Sequence, residues 1–252
     1  MESISAVIIT FDEAKHIERC IKSVLPVADE VLICDTNSTD ETVKIATELG
    51  AKVIVNPFIG FGATKNKANQ HAQHNWILSI DADEVLSEEL IKELHQLKNN
   101  LDNNVVYAFK RLNNYCGKWI RYGGWNPDIK PRLFNKEHAQ WNLAEVHETL
   151  VYPNKTSTQL LKGELYHYSY LSIDQHLQKI EKYSTRGAHE LIKRNKKTTF
   201  IKRYLSPLFR FVRDYFFKLG FLDGKYGFII AKLTAKEVYL KYKKLNQLHQ
   251  SK

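Results

Sequence analysis

Within its first hundred residues the chain repeats one pattern: a short apolar run, a turn, then a stretch with helical periodicity. The apolar runs cover residues 5–9, 30–34, 52–55 and 76–80. Continuous runs of this length suit strands buried on both faces, as in a parallel sheet. Between the first two, Ala14, Ile17, Ile21 and Val24 share one face of a helix predicted over residues 13–24, which Pro26 ends. Ser38 or Thr39 can cap a second helix through Leu49, with Gly50 as a natural C′ residue. A third is predicted around residues 64–74, after a loop at Gly60-Phe61-Gly62, and Ser87 caps a fourth over residues 88–97. This order implies an α/β fold, a mostly parallel Rossmann-like sheet flanked by helices with right-handed crossovers.

In such sheets ligands bind at the carboxyl ends of the strands. Thr10-Phe11, Asp35 and Asp81-Ala82-Asp83 all fall there, so three strands deliver polar groups to one rim. Two carboxylates one residue apart, where a buried strand emerges, can hold a divalent cation. Mg²⁺ is usually held by one or two carboxylates plus substrate phosphates, and Mn²⁺ also prefers oxygen. The pattern points to phosphate chemistry assisted by Mg²⁺ or Mn²⁺; solvated surface acids are the plainer alternative. No Gly-x-Gly-x-x-Gly follows the first strand and no Gly-x-x-x-x-Gly-Lys-Ser/Thr is present, which argues against dehydrogenases and P-loop NTPases.

The rest of the chain reads differently. Strands are predicted at 105–111, 131–135 and 159–166, separated by Gly/Asn/Pro-rich loops. Tyr115, Trp119, Tyr122 and Trp125 in those loops suit either core plugs or platforms for a sugar. Beyond Asp174 the sequence becomes helical and basic, so the expected division is residues 1–172 and 173–252. Residues 151–252 carry 21 Lys/Arg against 7 Asp/Glu, whereas the remainder carries 16 against 21. A basic tail on an acidic body suits an anionic partner, a membrane surface or nucleic acid. Helix-turn-helix, zinc-finger and RNA-recognition signatures are missing, so a nucleic-acid partner is not expected. Ser206-Pro207 reads as a helix start. Leu208, Phe211, Val212, Tyr215, Phe216 and Leu219 then recur at helical spacing among Arg210, Arg213 and Lys218. That stripe suits core packing or an interfacial helix on anionic lipid. Met1-Glu2-Ser3 lacks a basic n-region, and no stretch reaches 18 apolar residues. Cys20, Cys34 and Cys116 are odd in number and lack Cys-x-x-Cys spacing, as expected of reduced thiols in a cytosolic protein.

Taken together, several segments resemble family-two glycosyltransferases with a GT-A fold. They are residues 5–13, Asp35-Thr36-Asn37-Ser38-Thr39-Asp40-Glu41-Thr42, Lys65-Asn66-Lys67-Ala68 and residues 76–84. More narrowly, Ala144-Glu145-Val146-His147-Glu148 and residues 220–228 resemble the lipopolysaccharide core β-glucosyltransferases of Gram-negative bacteria. One departure is Asp12, where the family usually carries Asn.

The resemblance implies a UDP-sugar donor, UDP-glucose by analogy, and a lipid-linked oligosaccharide acceptor. Thr10 and Phe11 would meet the base, or Thr10 merely ends a strand. Glu13 would reach the nucleotide, or favour the first turn of its helix through the macrodipole. Asp35 would accept the uracil N–H, or cap the following turn. Lys65 would face the diphosphate, or be solvated. Asp81 would serve the ribose and the metal's water shell, and Asp83 the metal itself. His167 would be a third ligand, or a hydrogen-bonded histidine among Tyr166, Tyr168 and Tyr170. Glu148 is the implied base for an inverting displacement, with Glu145 second and His147 available to orient it. If that segment is helical the two acids share a face; if extended they point oppositely. The implied setting is cytoplasmic, peripheral on the inner face of the cytoplasmic membrane. Another cell-envelope glycan is the alternative acceptor. A sugar-nucleotide synthesising transferase would need a Gly-rich loop near the N-terminus, which is missing here.

Overall fold

The structure, a computed structural model, describes all residues except 145–147 and 251–252. It divides into two compact units, residues 1–111 with 128–167, and residues 112–127 with 168–252.

In the first unit, β1 (Ile4–Thr10), α1 (Ile17–Val24), β2 (Glu30–Asp35), α2 (Thr42–Glu48), β3 (Lys52–Val55), α3 (Phe61–His71) and β4 (Trp76–Asp81) alternate as predicted. Their strands pair in parallel in the order β3-β2-β1-β4. Then come β5 (Glu84–Leu86), α4 (Glu88–Leu97), β6 (Val105–Tyr115), β7 (Lys118–Ile120), β8 (Asp128–Asn135), β9 (Gln140–Trp141), β10 (Leu150–Val151) and β11 (Ser157–Tyr170). The sheet continues from β4 through β8, β6 and β11 to β5, with β4–β8, β8–β6 and β11–β5 antiparallel. The fold is therefore α/β, with the parallel strands gathered at one side.

Side chains alternate across the sheet as a period of two demands. Ile4, Ala6 and Ile8 pack with Ile17, Ile21 and Leu90 on one face, while Val7, Leu32 and Ile77 pack with Ala68 and Ala72 on the other. Each large aliphatic side chain so buried contributes about 1.5–3 kcal/mol. Register then sets the rim, because Thr10 lies opposite Asp35 and Ile9 opposite Asp81.

Several predicted helix starts move. Helix α1 begins at Ile17 rather than residue 13, because Glu13 opens a tight turn in which its carbonyl accepts from the His16 and Ile17 N–H groups. Neither Ser38 nor Thr39 caps α2. The Ser38 hydroxyl goes to Asp35, and Thr39 donates to Asp12. Helix α3 starts earlier than predicted, at Phe61, with Gly60 before it at φ 102. Gly62 is thus inside the helix, and a Cβ there would lie 1.8 Å from the Asn142 carbonyl oxygen. It is a site of close backbone approach, not a flexible loop. Ser87 caps α4 as predicted, accepting the Leu90 N–H at 3.2 Å.

The second unit holds α5 (Ile173–Lys193), α6 (Phe200–Val212) and α7 (Gly224–Gln250), with α7 packed on both α5 and α6. Tyr115 is fully buried at its centre, ringed by Trp125, Tyr170, His176 and Tyr226 at 5.4–5.8 Å. Tyr115 and Trp125 are therefore core residues. The segment at residues 220–228 is architectural too. Gly227 lies so close to the Gly220 carbonyl that a Cβ would clash at 1.8 Å, and the Asp223 carboxylate accepts the Arg121 and Tyr122 N–H groups. The predicted helix start at Ser206-Pro207 is incorrect. Thr199 caps α6 by accepting the Lys202 N–H, and Pro207 lies inside the helix. The capping hydroxyl outweighs proline's preference for a first turn.

His176 donates to or accepts from the Tyr115 hydroxyl at 3.0 Å, and its ring packs on Tyr170. Burial, then the Lys179 charge, push its pKa down to about 4. In the unfolded chain the group titrates near 6.5, so between these values the unfolded state binds more protons. Its contribution to stability is complete above about pH 6.5 and is lost as pH falls toward 4. The urea midpoint of the wild type should therefore fall between pH 7 and pH 5, and this drop should shrink in His176→Phe. An equal drop in both proteins would contradict the assignment.

Candidate functional site

At the carboxyl ends of β1 and β2, Asp35 is almost wholly buried. Its Oδ2 accepts the Thr10 hydroxyl at 2.9 Å and the Ser38 hydroxyl at 2.5 Å, and its Oδ1 accepts the Ser38 N–H at 2.9 Å. A carboxylate offers about four acceptor positions. Three are filled, so the group is both the predicted turn cap and an acceptor with capacity left. Phe11 projects into solvent beside it, 57% exposed. Asp12 adopts φ 53, a region Asn and Asp tolerate better than other residues. Its Oδ1 accepts the Thr39 N–H at 2.7 Å, a bond an Asn oxygen could equally accept. The departure at Asp12 thus leaves the loop intact. The Glu13 N–H donates to the Thr42 hydroxyl at 2.8 Å.

Lys65, on the first turns of α3, is the centre of the second cluster. Its Nζ lies 3.0 Å from Asp81 Oδ1 and 3.0 Å from Glu148 Oε1, and 4.6 Å from the centroid of the Trp141 ring. Its side chain is only 4% exposed, so it is not a solvated helix-face lysine. Asn66 holds the surrounding backbone: its amide donates to the Trp141 carbonyl at 2.7 Å and accepts the Trp141 N–H at 2.8 Å. With no Cβ at Gly62 to separate them, α3 and the strand at Trp141 meet closely enough for these bonds.

Behind Asp81 runs a buried charge network. Arg132 Nη2 bridges Asp81 Oδ2 at 2.6 Å and Glu84 Oε1 at 2.5 Å. Arg111 bridges Glu84 at 3.2 Å and Asp128 at 2.7 Å, and Lys130 reaches Asp128 at 3.2 Å. The second Glu84 oxygen accepts the Asp81 N–H at 3.0 Å, fixing the turn after β4. Burial pushes the Asp81 carboxyl up, but Arg132 and Lys65, then Arg111, outweigh it and hold it well below the usual carboxylate range. Burial likewise opposes the charge on Arg132, and Asp81 and Glu84 more than restore it.

Asp83 stands apart from this network. Its Oδ2 lies 3.2 Å from His167 Nε2, because the β5–β11 register sets His167 opposite Glu84. Burial raises the Asp83 carboxyl, but the His167 charge and hydrogen bond overcome it, leaving the pKa lowered. The donor types suit a divalent cation. Two cis ligands of an octahedral ion at about 2.0–2.1 Å lie about 2.9 Å apart, close to the observed pair. No cluster of three or more His, Cys, Asp or Glu able to hold a metal occurs among the described residues. Asp81 is turned to Lys65 and Arg132 instead, so it does not join Asp83 and His167. Water and substrate phosphate would have to complete any coordination shell. His16, before α1, is close enough to Asp83 and His167 to feel both charges. Glu145 and His147 lie outside the described residues.

Residues 5–150 match the family described as glycosyl transferase family 2. The chain belongs to that family. A glycosyltransferase of Rickettsia typhi, named as uncharacterized, is 36% identical over 98% of this chain and 88% of its own length. A Rhizobium meliloti protein named lipopolysaccharide core biosynthesis glycosyltransferase LpsC is 28% identical over 95% of this chain and 93% of its own length. Among solved structures, Mycobacterium tuberculosis glucosyl-3-phosphoglycerate synthase, in complex with Mn²⁺, UDP and glucosyl-3-phosphoglycerate, is 23% identical. That likeness covers 45% of this chain and 44% of that one, with a TM-score of 0.36. This glycosyltransferase has the α/β architecture of the GT-A fold, and it is an enzyme by family.

Arg132, Glu84 and Trp141 escape the sequence pattern. The clue available was an arginine directly before the apolar pair Leu133-Phe134 in a predicted strand, where a charge needs a buried partner. Removing one member of a buried ion pair costs about 3–5 kcal/mol, because the remaining charge stays dry. Arg132→Met should lose about that much in chemical denaturation, and adding Glu84→Gln should recover part of it. A single variant as stable as wild type would disprove the network's role.

Proposed function

We propose that this glycosyltransferase moves a hexose, most directly glucose, from a UDP-sugar to the inner core of lipopolysaccharide, with inversion at the anomeric carbon. The observation that carries this reading is the Lys65 ammonium shared at 3.0 Å by Asp81 and Glu148. It sets a carboxylate from the 144–148 segment beside the acidic rim of the sheet. The relative named for lipopolysaccharide core biosynthesis supports the acceptor class.

The donor's uracil would stack on the exposed Phe11 ring beside Thr10, and its N–H would take the remaining acceptor position of Asp35. Glu13 lies on the loop that follows and would reach the ribose. Asp81, held by two cations, would accept from the ribose hydroxyls and from metal-bound water, and Lys65 would add positive charge near the diphosphate. Asp83 and His167 would hold Mg²⁺ or Mn²⁺, which when bound offsets charge on the departing diphosphate. Glu148 would take the proton of an acceptor hydroxyl. That oxygen forms its bond to the anomeric carbon as the bond to the diphosphate oxygen breaks on the opposite face. Glu145 is the second candidate for this base. The acceptor would be a lipid-linked oligosaccharide, met at the inner face of the cytoplasmic membrane.

General base catalysis contributes about 10²–10⁴-fold. Glu148→Gln keeps an oxygen to accept from Lys65, so UDP affinity should stay within about twofold while turnover falls at least about 100-fold. The test is transfer from a panel of UDP-sugars to lipooligosaccharide, with Mn²⁺, with Mg²⁺ and with EDTA. Near-normal turnover in the variant, or activity indifferent to EDTA, would contradict the reading.

A further inference from the structure

Helix α6 buries none of its residues, although it is rich in large apolar side chains. Ile201, Leu205, Leu208 and Phe209 follow one another at i, i+4, i+7 and i+8, the spacing of a single helical stripe. All four are exposed, Phe209 by 64%; Phe200 and Phe217, at the two ends of the segment, are 78% and 79% exposed. Contiguous apolar surface of this kind is rare on a soluble monomer and marks an interaction site. The stripe differs from the one expected from the sequence. Phe211 and Tyr215 stack on each other and pack on Phe228 of α7, so they are half-buried against that helix.

Charge identifies the occupant. Residues 191–222 contain nine Lys/Arg and one acid, Asp214. That acid is buried and paired with Arg210 and Arg213, so it offers nothing outward. Exposed lysines flank the stripe, Lys196 and Lys197 before it, Lys202 beside its first residue, and Lys218 and Lys225 after it. A second copy laid face to face on this stripe, in either direction, would set lysines against lysines. An acidic bilayer matches the whole face, with headgroup phosphates at the ends and acyl chains beneath the stripe. Helix α6 spans only about 20 Å at 1.5 Å per residue. No helix among the described residues is long and apolar enough to cross a membrane. The geometry suits a helix lying in the interface plane.

We propose that the outward face of α6, with its flanking lysines, docks the protein on anionic phospholipid. This goes beyond the chemistry assigned above and is measured without donor or acceptor, so either can fail alone.

The test is co-sedimentation of the full chain with vesicles of phosphatidylglycerol and phosphatidylcholine, compared with pure phosphatidylcholine. Binding to the anionic vesicles should be stronger by at least about tenfold and should weaken with salt. The triple variant Ile201→Ser, Leu205→Ser, Phe209→Ser and the triple variant Lys196→Gln, Lys197→Gln, Lys202→Gln should each lose at least about tenfold. All six side chains are exposed, so thermal melting should be unchanged; if the serine variant melts early, the lysine variant alone decides. Equal binding to both vesicle types would overturn the proposal, as would full binding by the variants. So would a wild-type dimer, seen by sedimentation velocity, that the serine variant abolishes while vesicle binding persists.

Discussion

A lysine ammonium buried against two carboxylates and an indole is a demanding arrangement. Each ion loses water, and only close partners offset that loss. Lys65 meets the condition through Asp81, Glu148 and the face of Trp141. Much of the local architecture serves to keep those groups together. Gly62 lets α3 approach the strand at Trp141, Asn66 locks the two backbones, and the β1–β4 register brings Asp81 to the rim.

The consequence is a division of labour between two aspartates one residue apart. Asp81 is neutralised by fixed cations, Lys65 on one oxygen and Arg132 on the other. Asp83 faces an imidazole, a group that can share a metal with a carboxylate. The chain of charges from Glu148 through Lys65, Asp81, Arg132, Glu84 and Arg111 to Asp128 alternates in sign at every step. Such a chain fixes the orientation of each member. That fixed environment is what the proposed reaction would need to stabilise a leaving diphosphate.

The sequence made the parallel strands visible because buried strands are continuous apolar runs, and it made the acids at their ends visible because position along a run is unambiguous. Helix starts were less legible. Ser38 and Thr39 look like caps, yet Ser38 serves Asp35 just before it and Thr39 serves Asp12, 27 residues away. Pro207 resembles a first-turn residue, but the Thr199 hydroxyl opens the helix two turns earlier. Within the candidate site, Asp81 and Asp83 could be named from type and spacing, and Lys65, Glu148 and His167 from the resemblance. What each one touches could not, since Arg132 lies 51 residues from Asp81 and Glu148 lies 83 from Lys65. On α6 the periodicity was readable, but which side faced outward depended on Phe228 and on residues of other elements.

The proposed function gives the two aspartates different partners, fixed cations for Asp81 and a divalent ion for Asp83. Crystals grown with Mn²⁺ and UDP, with anomalous data collected at the manganese edge, test it directly. The account predicts one anomalous peak beside Asp83 and His167, with Lys65 still between Asp81 and Glu148. A peak on Asp81 with Lys65 displaced, or nucleotide bound with no manganese near either aspartate, would contradict it.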